Sequence, residues 1–500
     1  MKRKLISLLL AAVLCLGLAL PVRAAEALTP ETQEEILLEV SDFIRENCLT
    51  SSLEDDPLGR VFPSWQKEGA LLQALQKDAG LYERLMRKML SGYDSHTLYS
   101  PAGTYSLSFP KSNAGYAGIG VTITQQGRQA AVADVSLEGS AFEAGILAGD
   151  LLLRVNGERL KGLPLSGISA RLRGEAGTQV ELTVLRDGQE LTFTLTRRQL
   201  ETPNYTGRAL EEHIYFMKWD RFSDEDGSYA RFRQDLSALT AEDCLILDLR
   251  DNPGGDLDLA CSMVSDLLPE RVTFFSFSQR IAEESQPTVK YYTSDGEGKA
   301  LRQIILLVNG ASASASEVLT ASLRDSGYAT VVGETTYGKA RAQYHVVLPD
   351  DSAAVVTGMA LLSLQDGDYE GVGLAPDVPV TQTALSGSAA YVPETVALAP
   401  GSCSDNGTAL NRALVSLGYL SALPEKPYRL GEETLEALAR LKAVCGLSDP
   451  APGAGLPTLQ LVNLLLSRQK QGAYLRDDPL LTAIELCRQA LAQPALSPAA

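Results

Sequence analysis

The stretch Ile304-Ile-Leu-Leu-Val-Asn-Gly-Ala-Ser-Ala-Ser-Ala-Ser-Glu317 decides the fold of this chain. It begins as a continuous apolar run, which suits a central strand covered on both faces. From Val318 to Leu323 the pattern is typical of a helix. Ser314 therefore falls at a strand-to-helix turn, where the free N–H groups of a helix N-terminus can stabilise an oxyanion. The alternative is a small-residue helix cap in which Glu317 completes a capping box.

A lysine follows this turn at the end of a second predicted strand. Lys339 closes the segment Val331-Val-Gly-Glu-Thr-Thr-Tyr-Gly-Lys339. The chain has three histidines, His96, His213 and His345, and none lies in a serine-hydrolase motif. A lysine becomes a base for a serine when burial lowers its pKa from about 10.4 toward neutrality. Lys339 is therefore a candidate base, and the alternative is a solvated loop lysine.

Gln343 follows Lys339 on the same segment. Its side-chain oxygen is predicted to orient the lysine without giving it a charge partner. A carboxylate in that position would keep the lysine protonated. A neutral amide is therefore the better match to a lysine that must lose its charge.

A third segment, Leu247-Asp-Leu-Arg-Asp-Asn-Pro-Gly-Gly-Asp256, reads as a buried strand followed by a tight turn. Glycines let backbone amides approach a ligand closely, so Gly254 and Gly255 are candidates for a second oxyanion donor. The alternative is an ordinary strand-ending turn. Asp251, Asp256 and Asp258 do not have the spacing of a calcium loop, and no metal is expected here.

The bulk composition restricts the class of protein. The chain has 500 residues and a formal net charge of -18. The length predicts several domains, and the charge argues against nucleic acid as the main partner. Residues 1–25 have the basic, apolar and small-residue regions of a cleaved signal peptide, so export is predicted and an uncleaved membrane anchor is the alternative.

Cysteine usage is sparse for an exported chain of this size. Cys403 and Cys445 share one C-terminal module and are candidates for a disulfide, although sequence does not decide connectivity. There is no Cys-x-x-Cys motif or His/Cys cluster. No metal and no other cofactor is therefore predicted.

Changes in pattern along the chain predict the domains. Glu31 to Asn47 has helical apolar spacing, and a second helix is predicted from Trp65 to Leu90. Short alternating runs with Asn156-Gly157 and Asp187-Gly188 turns indicate a β-rich domain. The predicted boundaries are residues 1–25 for the signal peptide, 26–112 for an N-terminal helical region, 113–199 for the β-rich domain, 200–385 for an α/β core, 386–402 for a linker, 403–470 for a helical module and 471–500 for a C-terminal tail.

Three ordered motifs resemble the carboxyl-terminal processing peptidase family. They are Leu247-Asp-Leu-Arg-x-Asn-Pro-Gly-Gly255, Ser312-Ala-Ser-Ala-Ser-Glu317 and Gly333-x-x-Thr-x-Gly-Lys339. The resemblance extends from about residue 30 to residue 385 and implies an α/β protease core of the ClpP or crotonase type. The sequence departs from the family at Ala340, where a glycine usually follows the lysine.

The resemblance also assigns roles to residues. It implies that Ser314, rather than Ser312 or Ser316, is the nucleophile. It further implies that Lys339 is the general base and that Gln343 orients it. The oxyanion hole implied by the family consists of the Ala315 N–H and the Gly254–Gly255 turn.

The β-rich domain resembles a PDZ domain. Gly118, Ile119, Gly120 and Val121 match the loop that binds the terminal carboxylate of a peptide, which joins the sheet edge as an added strand. Residues 403–470 resemble three-helix peptidoglycan-binding domains, and a generic helical appendage is the alternative.

The sequence therefore predicts a secreted serine endopeptidase that acts on exported proteins or their C-terminal tails. The rival prediction is a catalytically silent PDZ scaffold that binds exported C-termini at the cell wall. Peptidoglycan is a candidate partner, and the N-terminal helices are the predicted contact of a homodimer. The predicted location is extracellular or at the envelope of a bacterial cell.

Overall fold

The computed structural model describes residues 28–52, 54–102, 116–127, 129–200, 204–280 and 286–493. The predicted signal peptide at residues 1–25 lies outside these ranges. None of the described helices has the length and apolar character needed to cross a membrane. The described chain is a mixed α/β and β structure with helices towards both ends, which confirms the predicted fold class.

The described part of the N-terminal region contains four helices. Thr29 begins the first by accepting a hydrogen bond from the N–H of Thr32. The sequence predicted one helix from Trp65 to Leu90, and this is wrong. A turn in which Asp78 accepts a bond from Gly80 N–H divides that stretch into two shorter helices. The helices are α1 (Pro30–Asn47), α2 (Pro57–Val61), α3 (Ala70–Lys77) and α4 (Leu81–Leu90).

A small β domain follows, and its six-stranded sheet has the order β3-β4-β5-β7-β8, with β6 paired to β5. The predicted Asp187-Gly188 turn joins its last two strands, and both residues have the positive φ of a type I′ turn, at 48° and 82°. The elements are β2 (Tyr116–Gly118), β3 (Val121–Gln126), β4 (Gln129–Val135), α5 (Ser140–Glu143), β5 (Leu151–Val155), β6 (Glu158–Arg159), α6 (Leu165–Leu172), β7 (Gln179–Arg186), β8 (Gln189–Thr196) and β9 (Arg198–Leu200).

A mostly parallel sheet forms the α/β core. Its order is β10-β11-β12-β15-β16-β20, and the edge strand β10 is antiparallel. Three helices bury their apolar sides against one face. The strands are β10 (Tyr205–Glu211), β11 (Ile214–Trp219), β12 (Cys244–Asp248), β15 (Gln303–Val308), β16 (Ala329–Gly333) and β20 (Val378–Pro379), and the helices are α7 (Ser228–Ala238), α8 (Leu257–Leu267) and α9 (Ala315–Asp325).

A second sheet links the N-terminal region to the core. Its central strand is β18, which pairs with β1, β13, β17 and β19. Side chains of α1 and α4 pack on Ala354 and Val356 of this strand. The strands are β1 (Leu98–Ser100), β13 (Thr273–Gln279), β14 (Thr288–Thr293), β17 (Arg341–Val347), β18 (Ala353–Ser363) and β19 (Gly367–Asp368).

The C-terminal module consists of α10 (Asp405–Ser416), α11 (Glu432–Cys445) and α12 (Leu456–Lys470). Its apolar core is continuous with that of the small β domain. Ser467 accepts a bond from Ala148 N–H at 3.1 Å, and Arg468 pairs with Asp134. The candidate disulfide partners Cys403 and Cys445 are both free thiols.

The chain then returns to the α/β core. Two short strands, β21 (Thr383–Ala384) and β22 (Leu475–Arg476), pair with each other before the last helix, α13 (Asp478–Ala492). Leu480, Ala483 and Ile484 of α13 pack on the second face of the parallel sheet. Both faces of that sheet are therefore covered, as its continuous apolar strands require.

Candidate active site

Ser314 lies at the N-terminus of α9, directly after the strand β15 and its exit turn. Its backbone has φ 58° and ψ -118°, which is an unusual conformation for a residue other than glycine. Such a conformation costs of order 1–3 kcal/mol and persists only where the surroundings fix it. A strained strand-to-helix turn is one way in which hydrolase folds expose a nucleophilic serine. The side chain of Ser314 is partly exposed.

The two neighbouring serines have structural contacts instead. Ser312 is fully buried, and its hydroxyl donates to the Leu249 carbonyl at 2.8 Å. Ser316 is also buried and donates to the Asn252 carbonyl at 2.9 Å. These bonds tie the turn to the end of β12. Ser314 alone of the three presents a side chain to solvent.

Glu317 joins the serine turn to the lysine loop. One carboxylate oxygen accepts hydrogen bonds from the N–H groups of Ser314 and Lys339, both at 2.8 Å. The other accepts from the Thr336 hydroxyl and from the Gly338 N–H, both at 2.6 Å. The predicted helix cap is therefore present, and the same buried side chain also fixes the loop that carries the candidate base.

The lysine loop is held from its other side by Glu370. This carboxylate accepts the Ala340 N–H at 2.6 Å. Ala340 is fully buried, and it is not among the residues with positive φ. The methyl group at the position where the family usually has glycine therefore fits without backbone strain.

The surroundings of Lys339 shift its pKa downward. Burial lowers the pKa of Lys339, and it outweighs the carboxylates of Glu370 and Glu317, which act in the opposite direction on that pKa. Burial and, next, the positive charge of Lys339 lower the pKa of His345 on β17. A lysine with a lowered pKa is the kind of base that a serine requires when no histidine serves it.

Gln343 lies on β17 at a bulge in the pairing with β18. Its side-chain nitrogen donates to the Arg341 carbonyl at 2.9 Å. Within the described ranges no hydrogen bond joins Gln343 to Lys339. Its role in orienting the lysine stays a prediction.

The glycine turn lies directly against the nucleophile. A Cβ placed on Gly254 would come within 2.8 Å of the Ser314 Cβ and 2.9 Å of the Ala315 nitrogen. The Gly254 N–H donates to the Asn252 side chain at 2.9 Å. The N–H of Gly255 has no such partner in the described part of the chain, and Ala315 is the first residue of α9, whose N–H has no intrahelical acceptor. Gly255 and Ala315 are thus the better candidates for oxyanion donors.

The candidate carboxylate-binding loop runs from Gly118 to Val121, between β2 and β3. The Ile119 and Gly120 carbonyls accept bonds from Ala141 and Ser136 N–H groups, at 3.0 and 2.9 Å. Because a trans peptide directs its C=O and N–H oppositely, the Gly120 and Val121 N–H groups point away from that turn. Strand β3 is the edge of its sheet, beside α6. This arrangement suits an added peptide strand with its carboxylate on the loop.

Sequence reasoning missed three residues that build this site. Thr336 and Glu370 hold the lysine loop, and Asn252 fixes the glycine turn by donating to the Trp219 carbonyl at 2.7 Å. Thr336 and Asn252 lie inside the sequence motifs quoted above, and their place in those motifs could have marked them as site residues. Among the described residues no group of three or more His, Cys, Asp or Glu side chains is arranged to hold a metal ion.

Comparison with known proteins places these domains in families. Residues 214–380 match Peptidase family S41, and residues 117–196 match the PDZ domain. A carboxy-terminal-processing protease of Bartonella bacilliformis is 26% identical over 69% of this chain and 81% of its own length. A carboxyl-terminal-processing protease of Synechocystis is 32% identical over 49% of this chain and 58% of its own length. A probable CtpA-like serine protease of Staphylococcus aureus is 30% identical over 61% of this chain and 60% of its own length.

Among solved structures, a photosystem II D1 C-terminal processing protease matches 70% of this chain and 93% of its own length, with 25% identity and a TM-score of 0.41. The matching domains define the chain as a serine peptidase with a PDZ domain. Residues 214–380 are thus a region that matches peptidase family S41, and relatives of the chain are named carboxyl-terminal processing proteases. The predicted family is confirmed.

Proposed function

We propose that this protein is an exported endopeptidase in which Ser314 is the nucleophile and Lys339 is the general base. The observation that supports this most strongly is the Glu317 carboxylate, one oxygen of which binds the N–H groups of both residues. The two functional residues come from separate loops, and a single buried side chain brings their backbones together. The lowered pKa of Lys339 adds the chemical condition that the reaction needs.

In the proposed mechanism, neutral Lys339 accepts the hydroxyl proton of Ser314 as its oxygen attacks the scissile carbonyl. The N–H groups of Ala315 and Gly255 stabilise the oxyanion. Lys339 then gives its proton to the leaving amine, and an acyl-enzyme remains. Lys339 next takes a proton from the water that attacks the ester, and it returns this proton to the Ser314 oxygen as the acid product leaves. Gln343 orients the lysine through these steps.

The proposed substrates are exported proteins with accessible C-terminal tails. The Gly118–Val121 loop binds the terminal carboxylate, and the tail adds to the edge of β3 beside α6. The relatives named for carboxyl-terminal processing support this assignment. The PDZ domain then determines which chains reach Ser314.

Cleavage of β-casein by the purified protein tests the chemistry. Ser314→Ala and Lys339→Arg are each expected to lower kcat/KM by at least about 1,000-fold, because one removes the nucleophile and arginine does not deprotonate. Ser237→Ala is the matched control, since Ser237 is an exposed serine on α7. Activity of Ser314→Ala equal to that of the unmodified protein would contradict the proposal.

The pH dependence of kcat/KM gives a second measurement of the same mechanism. The reaction needs neutral Lys339, so the rate should rise with pH through the pKa of that group. Because burial lowers this pKa, the rise should come below the value of about 10.4 for an unperturbed lysine. If the protein binds C-terminal peptides without cleaving any protein, the scaffold function is correct instead.

Export, retention at the cell wall and self-association complete the proposal, and they rest on sequence patterns. Residues 1–25 direct export, residues 403–470 bind peptidoglycan, and residues 26–112 supply a homodimer contact. Co-sedimentation with purified peptidoglycan and analytical ultracentrifugation test the last two. A protein that stays in the supernatant, or sediments as a monomer, would remove the corresponding part.

A further inference from the structure

Glu370 bridges the N-terminal region and the lysine loop. One of its carboxylate oxygens accepts the Ala340 N–H at 2.6 Å, directly after Lys339. The other lies 2.8 Å from Nε2 of His96, which precedes β1. An ionised carboxylate only accepts hydrogen bonds, so His96 carries the proton at Nε2. A continuous path of two hydrogen bonds thus connects His96 to the loop that carries the base.

His96 is itself held in a rigid turn. The carboxylate of Asp94 accepts the N–H groups of His96 and Thr97, at 2.7 and 2.8 Å. It also accepts the hydroxyl of Thr357 at 3.0 Å. Thr357 lies on β18 directly opposite Gln343 on β17. The turn at residues 94–97 therefore contacts the lysine loop through Glu370 and the strand β18, which pairs with the strand that carries the predicted orienting amide.

We infer that His96 and Glu370 are positioning residues for Lys339, through which the N-terminal helical region sets the geometry of the base. This inference rests on the proposed function, because it takes Lys339 as the base. The N-terminal region then contributes to the active site by setting the position of Lys339.

The charge of Glu370 affects the pKa of Lys339, and this effect can be measured. Glu370 is the carboxylate with the larger effect on the pKa of Lys339, which it raises against the effect of burial. Arg341 and Asp368 face the same region, and Glu370 also raises the pKa of Arg341. Arg341 is paired with Asp368 at 2.7 Å, and His96 is the side chain that contacts the second oxygen of Glu370.

Kinetics of a matched pair of histidine variants test the inference. His96→Asn shortens the side chain so that it no longer reaches Glu370, and kcat should fall by about 10- to 100-fold with KM within about twofold, as expected for a displaced catalytic group. His96→Gln restores a donor of suitable length and should recover part of the loss. The control is His213→Asn, because His213 makes a comparable pair with Asp243 at 2.9 Å at the start of β11. Asn also tolerates the positive φ of that residue, 62°.

Glu370→Gln separates positioning from simple packing. The amide oxygen still accepts the Ala340 N–H, but the negative charge is lost. The pKa of Lys339 should then fall further, so the rise of kcat/KM with pH should move to lower pH. A residue with a merely structural role would change the rate without moving this midpoint.

Amide hydrogen exchange gives a measurement that does not depend on activity. In His96→Asn, exchange at Ala340 should become at least about tenfold faster, since its acceptor Glu370 loses its anchor. Exchange at Gly338 and Lys339 should stay slow, because Glu317 holds both. Fast exchange at Ala340 together with slow exchange at Gly338 and Lys339 is expected only if His96 acts through Glu370.

The outcomes distinguish the inference from the proposed function. If Ser314→Ala remains active, the proposed function fails, and the exchange result still reports whether His96 holds the loop. If Ser314 and Lys339 are essential but His96→Asn has unchanged kcat and unchanged Ala340 exchange, the inference is overturned. An unmoved pH midpoint in Glu370→Gln would overturn it as well.

Discussion

Gly254 shows how closely the oxyanion turn approaches the nucleophile. Its φ of 96° lies in the region that favours glycine. A Cβ at this residue would lie 2.7 Å from the Ala313 carbonyl oxygen and 2.8 Å from the Ser314 Cβ. Both neighbours belong to the strained turn, so neither can move without displacing the serine. Any side chain at this residue must therefore change the geometry of the site.

We expect Gly254→Ala to lower kcat/KM by at least about 100-fold, in the range lost when an oxyanion donor is misplaced. The control is Gly227→Ala, because Gly227 also has positive φ, at 71°, but a Cβ there meets nothing within 4 Å. The control thus shares the backbone strain and lacks the collision. β-Casein turnover that falls equally in both variants would show that backbone strain, rather than closeness to Ser314, sets the requirement for glycine.

The sequence could identify the serine turn because its signal is local. An apolar strand, a run of small residues and a helix follow one another within one short stretch, and Glu317 was correctly predicted as the cap. Burial of Ser312 and Ser316 depends on carbonyls of the distant residues Leu249 and Asn252. Pattern alone therefore left three eligible serines, and the choice of Ser314 came from the family resemblance.

At the scale of elements, the site is two strand-exit loops joined by one carboxylate. The loop after β15 carries Ser314, and the loop after β16 carries Lys339. Glu317 accepts four hydrogen bonds between them and is fully buried. Both oxygens of the Glu317 carboxylate accept hydrogen bonds from N–H and O–H donors. A neutral amide in its place would direct its own N–H groups at some of these donors.

We therefore expect Glu317→Gln to destabilise the loops by about 2–5 kcal/mol, since buried donors lose their acceptor. Limited proteolysis should show faster cleavage within residues 334–340, and β-casein turnover should be largely lost. Glu334→Gln is the control, because Glu334 is exposed in the same loop. A Glu317→Gln protein as protease-resistant and active as its control would show that the carboxylate does not hold the loops together.

The same scale explains why the contacts of Glu370 escaped prediction. Glu370 follows β19 and contacts Ala340 just before β17, and His96 lies 274 residues away from Glu370 along the chain. No periodic pattern marks either contact, because each is made by the packing of separate elements. Ala340 is a similar case. Its departure from the family pattern raised the question of strain, which only the backbone conformation answers.

At the scale of the whole molecule, the C-terminal helix α13 covers one face of the parallel sheet in the protease core. α13 places Leu480, Ala483, Ile484 and Cys487 against the strands β11, β12, β15 and β16. Asp477, which caps this helix, also pairs with Arg250 at 2.6 Å, just after β12. The sequence predicted only a C-terminal tail here, because apolar residues in a sequence do not identify the surface on which they pack.

This arrangement predicts that the C-terminal helix is needed for a stable protease. Ile484→Ala should lower the free energy of unfolding by about 2–5 kcal/mol, the range for a buried large-to-small change, with a matching fall in the urea midpoint. Glu485→Ala is the control, because that neighbouring side chain is 56% exposed. Tryptophan fluorescence reports on the core directly, since Trp219 is fully buried in it. An unchanged urea midpoint in Ile484→Ala would show that α13 lies on the sheet without stabilising it. Removal of residues 477–500 should then leave an active enzyme. If α13 is needed, the same removal exposes an apolar sheet face and should give an insoluble protein.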